Sequence, residues 1–276
     1  MGFGLIVVGD EILSGKRQDK HFSKIIELLA ERGLQLAWAE FVGDDPARLT
    51  SLLRRSFAGD DIVFSCGGIG ATPDDHTRQC AAAALGLPLA PHPEGRRLIE
   101  ERIRATAQEA GREPDFNAPD NLQRFKMAEF PQGATLIPNP YNGIAGFSVA
   151  RHHFVPGFPV MAWPMIAWVL DHLYADLFDS DLQAERSLLV YGQPEAALTP
   201  LMETLQRDYP GVRVFSLPSV GDAVTRRHIE LGVKGRSELV EPAFSALRAE
   251  LVRRGVETGP VSATPIAPWQ EGMSPK

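Results

Sequence analysis

The chain has 276 residues, of which 44% are hydrophobic and 23% charged, and its 28 Lys and Arg against 35 Asp and Glu leave a formal charge of −7. That length is ample for a substantial core, and the acidic balance excludes the clustered basic face by which duplex nucleic acid is bound. No apolar run approaches the roughly 20 residues that cross a bilayer, and Met1 to Gly9 lacks the basic start of a secretion signal, so a soluble cytoplasmic protein is expected.

Two cysteines, Cys66 and Cys80, are too few for a disulfide framework and form no C-x-x-C pair, so both are expected to be small buried residues. The 25 Gly and 22 Pro exceed the average share of about 12% without any repeat. The useful question is where they fall.

Phe3 to Val8 is an apolar run entering Gly9-Asp10-Glu11, a buried strand followed by a turn. His21 to Arg32 carries Phe22, Ile25, Ile26, Leu28 and Leu29 at helical spacing, closed by Gly33. Leu34 to Val42 reads as a second strand ending in Gly43-Asp44-Asp45. Pro46 then opens a helix through Leu49, Leu52, Leu53 and Phe57. Ile62 to Phe64 is a third strand, meeting Cys66-Gly67-Gly68-Ile69-Gly70. Strands alternating with helices predict an α/β domain with three layers, α/β/α, around a mostly parallel sheet. Thr72 as N-cap, Pro73 and Asp75 form a capping-box pattern that predicts a helix over 73–85, ended by Gly86.

Helices are expected near 93–110 and 119–128, short extended segments near 134–137, 146–150 and 152–156, and an apolar helix from Pro156-Gly157-Phe158-Pro159 to about Leu177. Asp179 to Arg186 is polar and reads as a boundary. Beyond it, strands at Ser187–Tyr191, Val212–Leu217 and Arg226–Lys234 and helices at Glu195–Asp208 and Glu238–Arg254 predict a small α+β domain over 187–255. The stretch from Gly259, with four prolines, is expected to be a disordered tail.

In open parallel sheets, ligands bind beyond the carboxyl ends of the strands, and that is where the Gly and Asp residues of this chain collect. The run 67–75 is the strongest signal. Its glycines, Gly67, Gly68 and Gly70, with Thr72, would let backbone N–H groups approach a phosphate. Carboxylates beside a phosphate repel it unless a cation intervenes, so Asp44 and Asp75 are the expected Mg²⁺ ligands or activating bases. Gly9, Asp10, Glu11, Asp74, Pro156 and Gly157 complete the expected pocket, although Asp45 and Asp74 equally suit caps and turns.

Other chemistries are excluded. Gly9 to Lys16 misses P-loop spacing, and Arg17 stands where Ser or Thr is required. No G-x-G-x-x-G follows the first strand. His152 and His153 would face opposite sides of a strand, His76 sits at a helix start, and Ser65 and Ser148 have no evident His partner. Met161, Trp163, Met165 and Trp168 have the spacing of core packing or a dimer face, and the apolar helix 159–177 makes a homo-oligomer plausible.

Taken in order, Gly9-Asp10-Glu11-Ile12-Leu13-Ser14-Gly15, Val42-Gly43-Asp44-Asp45, Gly67-Gly68-Ile69-Gly70-Ala71-Thr72-Pro73-Asp74-Asp75-His76-Thr77, Asn139-Pro140, Gly146-Phe147 and Pro156-Gly157-Phe158-Pro159 resemble the molybdopterin-binding MoaB/MogA fold. More closely they resemble the N-terminal part of the CinA family (competence/damage-inducible protein A), over residues 3 to about 255. The resemblance implies a three-layer domain followed by a small α+β domain, and molybdopterin as a possible ligand. It also implies one of two reactions at a phosphoanhydride: adenylylation of molybdopterin, or Mg²⁺-dependent cleavage of ADP-ribose. Asp44 and Asp75 match the two aspartates of the adenylylating relatives. A non-catalytic molybdopterin- or nucleotide-binding module is the alternative. No amidase domain of the full-length family is present in the 276 residues, so nicotinamide mononucleotide deamidation is not expected of them.

Overall fold

A computed structural model describes residues 1–178, 183–221 and 225–261. The chain forms two compact units, Met1–Phe178 and Asp179–Lys276.

In the first unit the central sheet runs in the order β2 (Leu36–Val42), β1 (Phe3–Val8), β3 (Ile62–Cys66), β8 (His152–Val155), β7 (Gly146–Val149), β6 (Thr135–Ile137). The first four strands are parallel and the last two pair antiparallel. Alternation along β1 shows why helices cover both faces. Phe3, Leu5 and Val7 pack under α2 (His21–Ala30) and α7 (Pro159–Leu173), against Ile25, Leu29, Met165 and Val169. Ile6 and Val8 face α3 (Pro46–Phe57) and α4 (Thr77–Leu85), against Leu49, Leu53, Cys80 and Ala81. A central parallel strand with both faces buried must be apolar throughout, and β1 is buried at all six positions.

A one-turn helix, α1 (Asp10–Leu13), follows β1, while α5 (Pro93–Glu109) and α6 (Pro119–Phe125) carry a smaller cluster around Ile99, Ile103 and Phe125. β4 (Leu89–Pro91) and β5 (Glu129–Pro131) form a separate antiparallel pair. At three residues each, they are too short to display a period in the sequence.

The second unit has an antiparallel sheet, β10 (Arg213–Ser219), β11 (His228–Arg236), β9 (Gln183–Tyr191), β12 (Thr258–Pro260), in that order. α8 (Glu195–Asp208) and α9 (Ser237–Arg253) bury Leu198, Leu201, Leu247 and Leu251 against Val190, Leu231 and Val233.

Three sequence expectations are corrected. The helix predicted from residue 73 begins at Thr77. Thr72 to Asp75 close a turn instead, with Asp75 N donating to Thr72 O at 3.1 Å. The strand predicted from Ser187 begins at Gln183, because Gln183 to Arg186 pair with Val233 to Arg236 of β11. The expected tail at 259 instead starts with Gly259 and Pro260 in β12, an edge strand that tolerates proline; residues 262–276 lie outside the described residues. No helix among the described residues is long and apolar enough to cross a membrane.

Candidate functional site

Four loops leave the carboxyl ends of β1, β2, β3 and β8, and they touch one another. Gly9 N donates to Val42 O and Gly67 N to Val155 O, each at 3.0 Å. A Cβ on Gly67 would lie 2.3 Å from Val8 O, and one on Gly157 would meet Gly67 Cα at 3.4 Å. Gly67 also has φ +112°, so this junction requires glycine both for its backbone conformation and for its closeness.

Asp10 and Asp44 bind each other's main chain. Asp10 N donates to Asp44 Oδ2 at 2.9 Å, and Asp44 N donates to Asp10 Oδ1 at 3.2 Å. Gly43 admits this pair, since a Cβ there would meet Asp10 Oδ1 at 2.2 Å. Partial burial raises the Asp44 pKa above its ordinary value, and the negative charges of Asp10, Glu11 and Asp74 push the same way against the hydrogen bond from Asp10.

Asp75 has different partners. Its Oδ2 accepts from Thr72 N at 2.8 Å and from Thr72 Oγ1 at 2.5 Å. Asp45 caps α3 by accepting from Arg48 N at 2.7 Å. The glycine run is held from behind: Thr77 Oγ1 donates to Gly67 O at 3.0 Å, Thr77 N to Gly68 O at 3.0 Å, and Arg78 to Gly70 O at 2.7 Å. Thr77 and Arg78 are buried; the sequence reading names Thr77 only as the end of the glycine-run motif and does not single out Arg78, since no local pattern marks a buried arginine in advance.

Beside Glu11 and Gly157 opens a cleft of about 280 Å³. Arg17, Lys20 and His21 line it together with Ile12, Phe158 and Pro159. The basic triplet Lys16, Arg17 and Lys20 within an acidic chain is the signal that could have drawn attention to it. A larger cavity, about 560 Å³, is lined by second-unit residues including Glu195, Arg226 and His228 and takes in none of the strand-end loops.

The remaining residues have structural surroundings. Cys66 and Cys80 are free and buried, and burial raises both thiol pKa values. Met165 is fully buried, and Met161, Trp163 and Trp168 pack around the same core. His76 occupies the N-cap of α4 without a side-chain capping bond. Ser148, which the sequence left without a histidine, has one: its Oγ lies 2.8 Å from His153 Nδ1. The pair is buried in a β7–β8 hairpin, where adjacent antiparallel strands place the two side chains directly opposite.

Residues 4–175 match the family model described as "Probable molybdopterin binding domain". A CinA-like protein of Anaeromyxobacter sp. strain Fw109-5 is 32% identical over 84% of this chain, and a CinA-like protein of Koribacter versatilis strain Ellin345 is 28% identical over 90%. The chain spans 58% of the length of each of these relatives. Among solved structures, the CinA protein of Thermoplasma acidophilum, whose function is described as unknown, superposes with a TM-score of 0.52 at 24% identity, covering 62% of this chain and 98% of that one. That likeness concerns the fold.

Proposed function

Because the chain belongs to the family described as "Probable molybdopterin binding domain", we propose that its first unit binds a pterin or nucleotide at the strand-end loops and, with Mg²⁺, acts on a phosphoanhydride. The candidate reactions are ADP-ribose-type pyrophosphatase activity and molybdopterin adenylylation. The observation that carries this reading is the reciprocal Asp10–Asp44 pair, set on loops that touch a glycine run.

Electrostatics favour a cation there. Asp44 is held in a field made by Asp10, Glu11 and Asp74, and a phosphate approaching the same loops would add to that repulsion. Among the described residues no group of three or more His, Cys, Asp or Glu could hold a metal alone. Mg²⁺ commonly needs only one or two carboxylates, with phosphate oxygens and water completing the shell, and Asp44 and Asp75 are the carboxylates that would hold it together with the ligand. When bound, Mg²⁺ would neutralise phosphate oxygens and template an in-line attack.

The protein's own groups divide the remaining work. Gly67, Gly68, Gly70 and Thr72 hold the phosphate, Asp44 and Asp75 orient the attacking water or hydroxyl, and Gly9, Asp10, Glu11, Asp74, Pro156 and Gly157 shape the walls. The test is incubation with Mg²⁺ and ADP-ribose, or with molybdopterin and ATP, watching for AMP release or adenylyl transfer. Asp75→Asn should abolish turnover with unchanged thermal unfolding; undiminished turnover in that variant overturns the assignment.

One observation favours the second reading, a non-catalytic molybdopterin- or nucleotide-binding module: Asp75 Oδ2 is already engaged by Thr72. Calorimetric binding of ADP-ribose or molybdopterin with no product after long incubation with Mg²⁺ would select it.

A further inference from the structure

The cleft beside Glu11 and Gly157 has chemistry that the strand-end loops do not use. Glu11 of the acidic loops lines it too, but Arg17 and Lys20, the cations of its lining, are exposed, and neither enters an ion pair with Glu11 or any other of the described residues. The nearby carboxylate of Asp19 is already committed: it accepts from His21 N at 2.9 Å and from Phe22 N at 3.0 Å, satisfying the first turn of α2. It therefore fixes the backbone on which Lys20 and His21 sit.

His21 closes the inner side. It is 4% exposed, and its Nε2 donates to Gly157 O at 3.0 Å. The other ring nitrogen, Nδ1, is buried and has no hydrogen-bond partner among the described residues. The same bond ties the start of α2 to the Pro156–Gly157 loop, so the cationic wall is held at a set place relative to one of the strand-end loops.

We propose that Arg17 and Lys20 form an anion subsite in this cleft that takes a second, distal phosphate group of the ligand. The inference rests on the glycine run holding the ligand's other phosphate. Two unpaired cations favour a phosphate dianion over a carboxylate, because the attraction scales with charge. Ile12, Phe158 and Pro159 add apolar surface to the lining, against which the aliphatic stems of long cationic side chains commonly pack.

The test is titration of the ¹⁵N-labelled full chain with inorganic phosphate, followed at backbone amides. Phosphate should move the amides of residues 17–21 saturably, and the double variant Arg17→Gln/Lys20→Gln should weaken that response at least about tenfold while its remaining spectrum is unchanged. Acetate should bind the same residues more weakly. Static amides at 17–21, an unaltered affinity in the double variant, or equal affinity for acetate would each overturn the subsite. Movement at 67–72 is read separately. Its absence, with the response at 17–21 intact, would overturn the proposed function and leave the subsite standing.

Discussion

Asp10 and Asp44, 34 residues apart in sequence, clasp each other: each accepts the other's backbone N–H, at 2.9 and 3.2 Å. The two bonds join the loop after β1 to the loop after β2 and hold two carboxylates side by side. Like charges so placed are tolerated because each carboxylate accepts an amide N–H, yet the pKa of Asp44 is raised, first by its partial burial and then by the neighbouring negative charges.

That sets the sign of a first prediction. A carboxyl with a raised folded-state pKa contributes stability below its unfolded pKa and loses it as the pH rises through the folded value. Ionised Asp44 therefore opposes folding at neutral pH. Asp44→Asn, which keeps an oxygen for Asp10 N, should raise the melting temperature at pH 7 by roughly 1–3 °C, and the gain should vanish below about pH 4. Calorimetry across that range checks it. Added Mg²⁺ should raise the melting temperature of the parent more than that of the variant.

The glycines give a comparison between two kinds of cost. Gly143 has φ +77°, and a Cβ there would meet no atom of the described residues within 4 Å, whereas at Gly67 the Cβ would sit 2.3 Å from a backbone carbonyl. Gly143→Ala should cost about 1 kcal/mol for the left-handed backbone alone. Gly67→Ala should cost at least about 3 kcal/mol, since Val8 O cannot swing away as a side chain would. Urea denaturation of the two variants distinguishes a local conformational penalty from a collision between loops.

The fold was legible where residues announce a face, and illegible where a partner far along the chain decides. β1 follows from its own apolar run, and α3 from its apolar spacing and its Asp45 cap. The start of α4 does not. Thr72-Pro73-Asp74-Asp75 has the pattern of a capping box, but Thr77 is claimed by Gly67 O and Gly68 O, and those bonds set where the helix can begin. The beginning of β9 depends similarly on β11, and β12 on its edge position. At the site, strand-end placement of Asp10 and Asp44 was legible, their reciprocal bonding was not, and the engagement of Asp75 by Thr72 was half visible as a capping pattern without its helix.

A homo-oligomer is the expected state in solution. On α2, Phe22 and Ile26 are 42% and 43% exposed, and residues four apart share one helix face. Around α7, Phe158 and Val160 are each 54% exposed. Light scattering should give a multiple of the 30.2 kDa chain mass, and Phe22→Glu/Ile26→Glu should return it to one chain. A parent protein at the single-chain mass refutes the expectation.

The paired histidines of β8 predict the acid limit of the first unit. His152 Nε2 meets Ser56 Oγ at 2.7 Å, and His153 lies between Ser148 Oγ and Tyr174 OH, both at 2.8 Å. Burial lowers their pKa values to about 4 and about 3. A neutral ring donates with one nitrogen and accepts with the other, and the hydroxyls suit either role; a protonated ring in this setting would be a buried charge without a counter-ion. With folded values below the ordinary value of about 6.5, both contribute stability above that pH and lose it as the pH falls towards 4 and 3. The unfolding free energy from urea denaturation should therefore decline from about pH 6 downward, by on the order of 3 kcal/mol for each imidazole by pH 4. His153→Gln, which retains a donor and an acceptor but does not titrate, should lower stability at pH 7 and flatten that decline. A parent midpoint independent of pH between 6.5 and 4 would show that neither imidazole is held neutral by its burial.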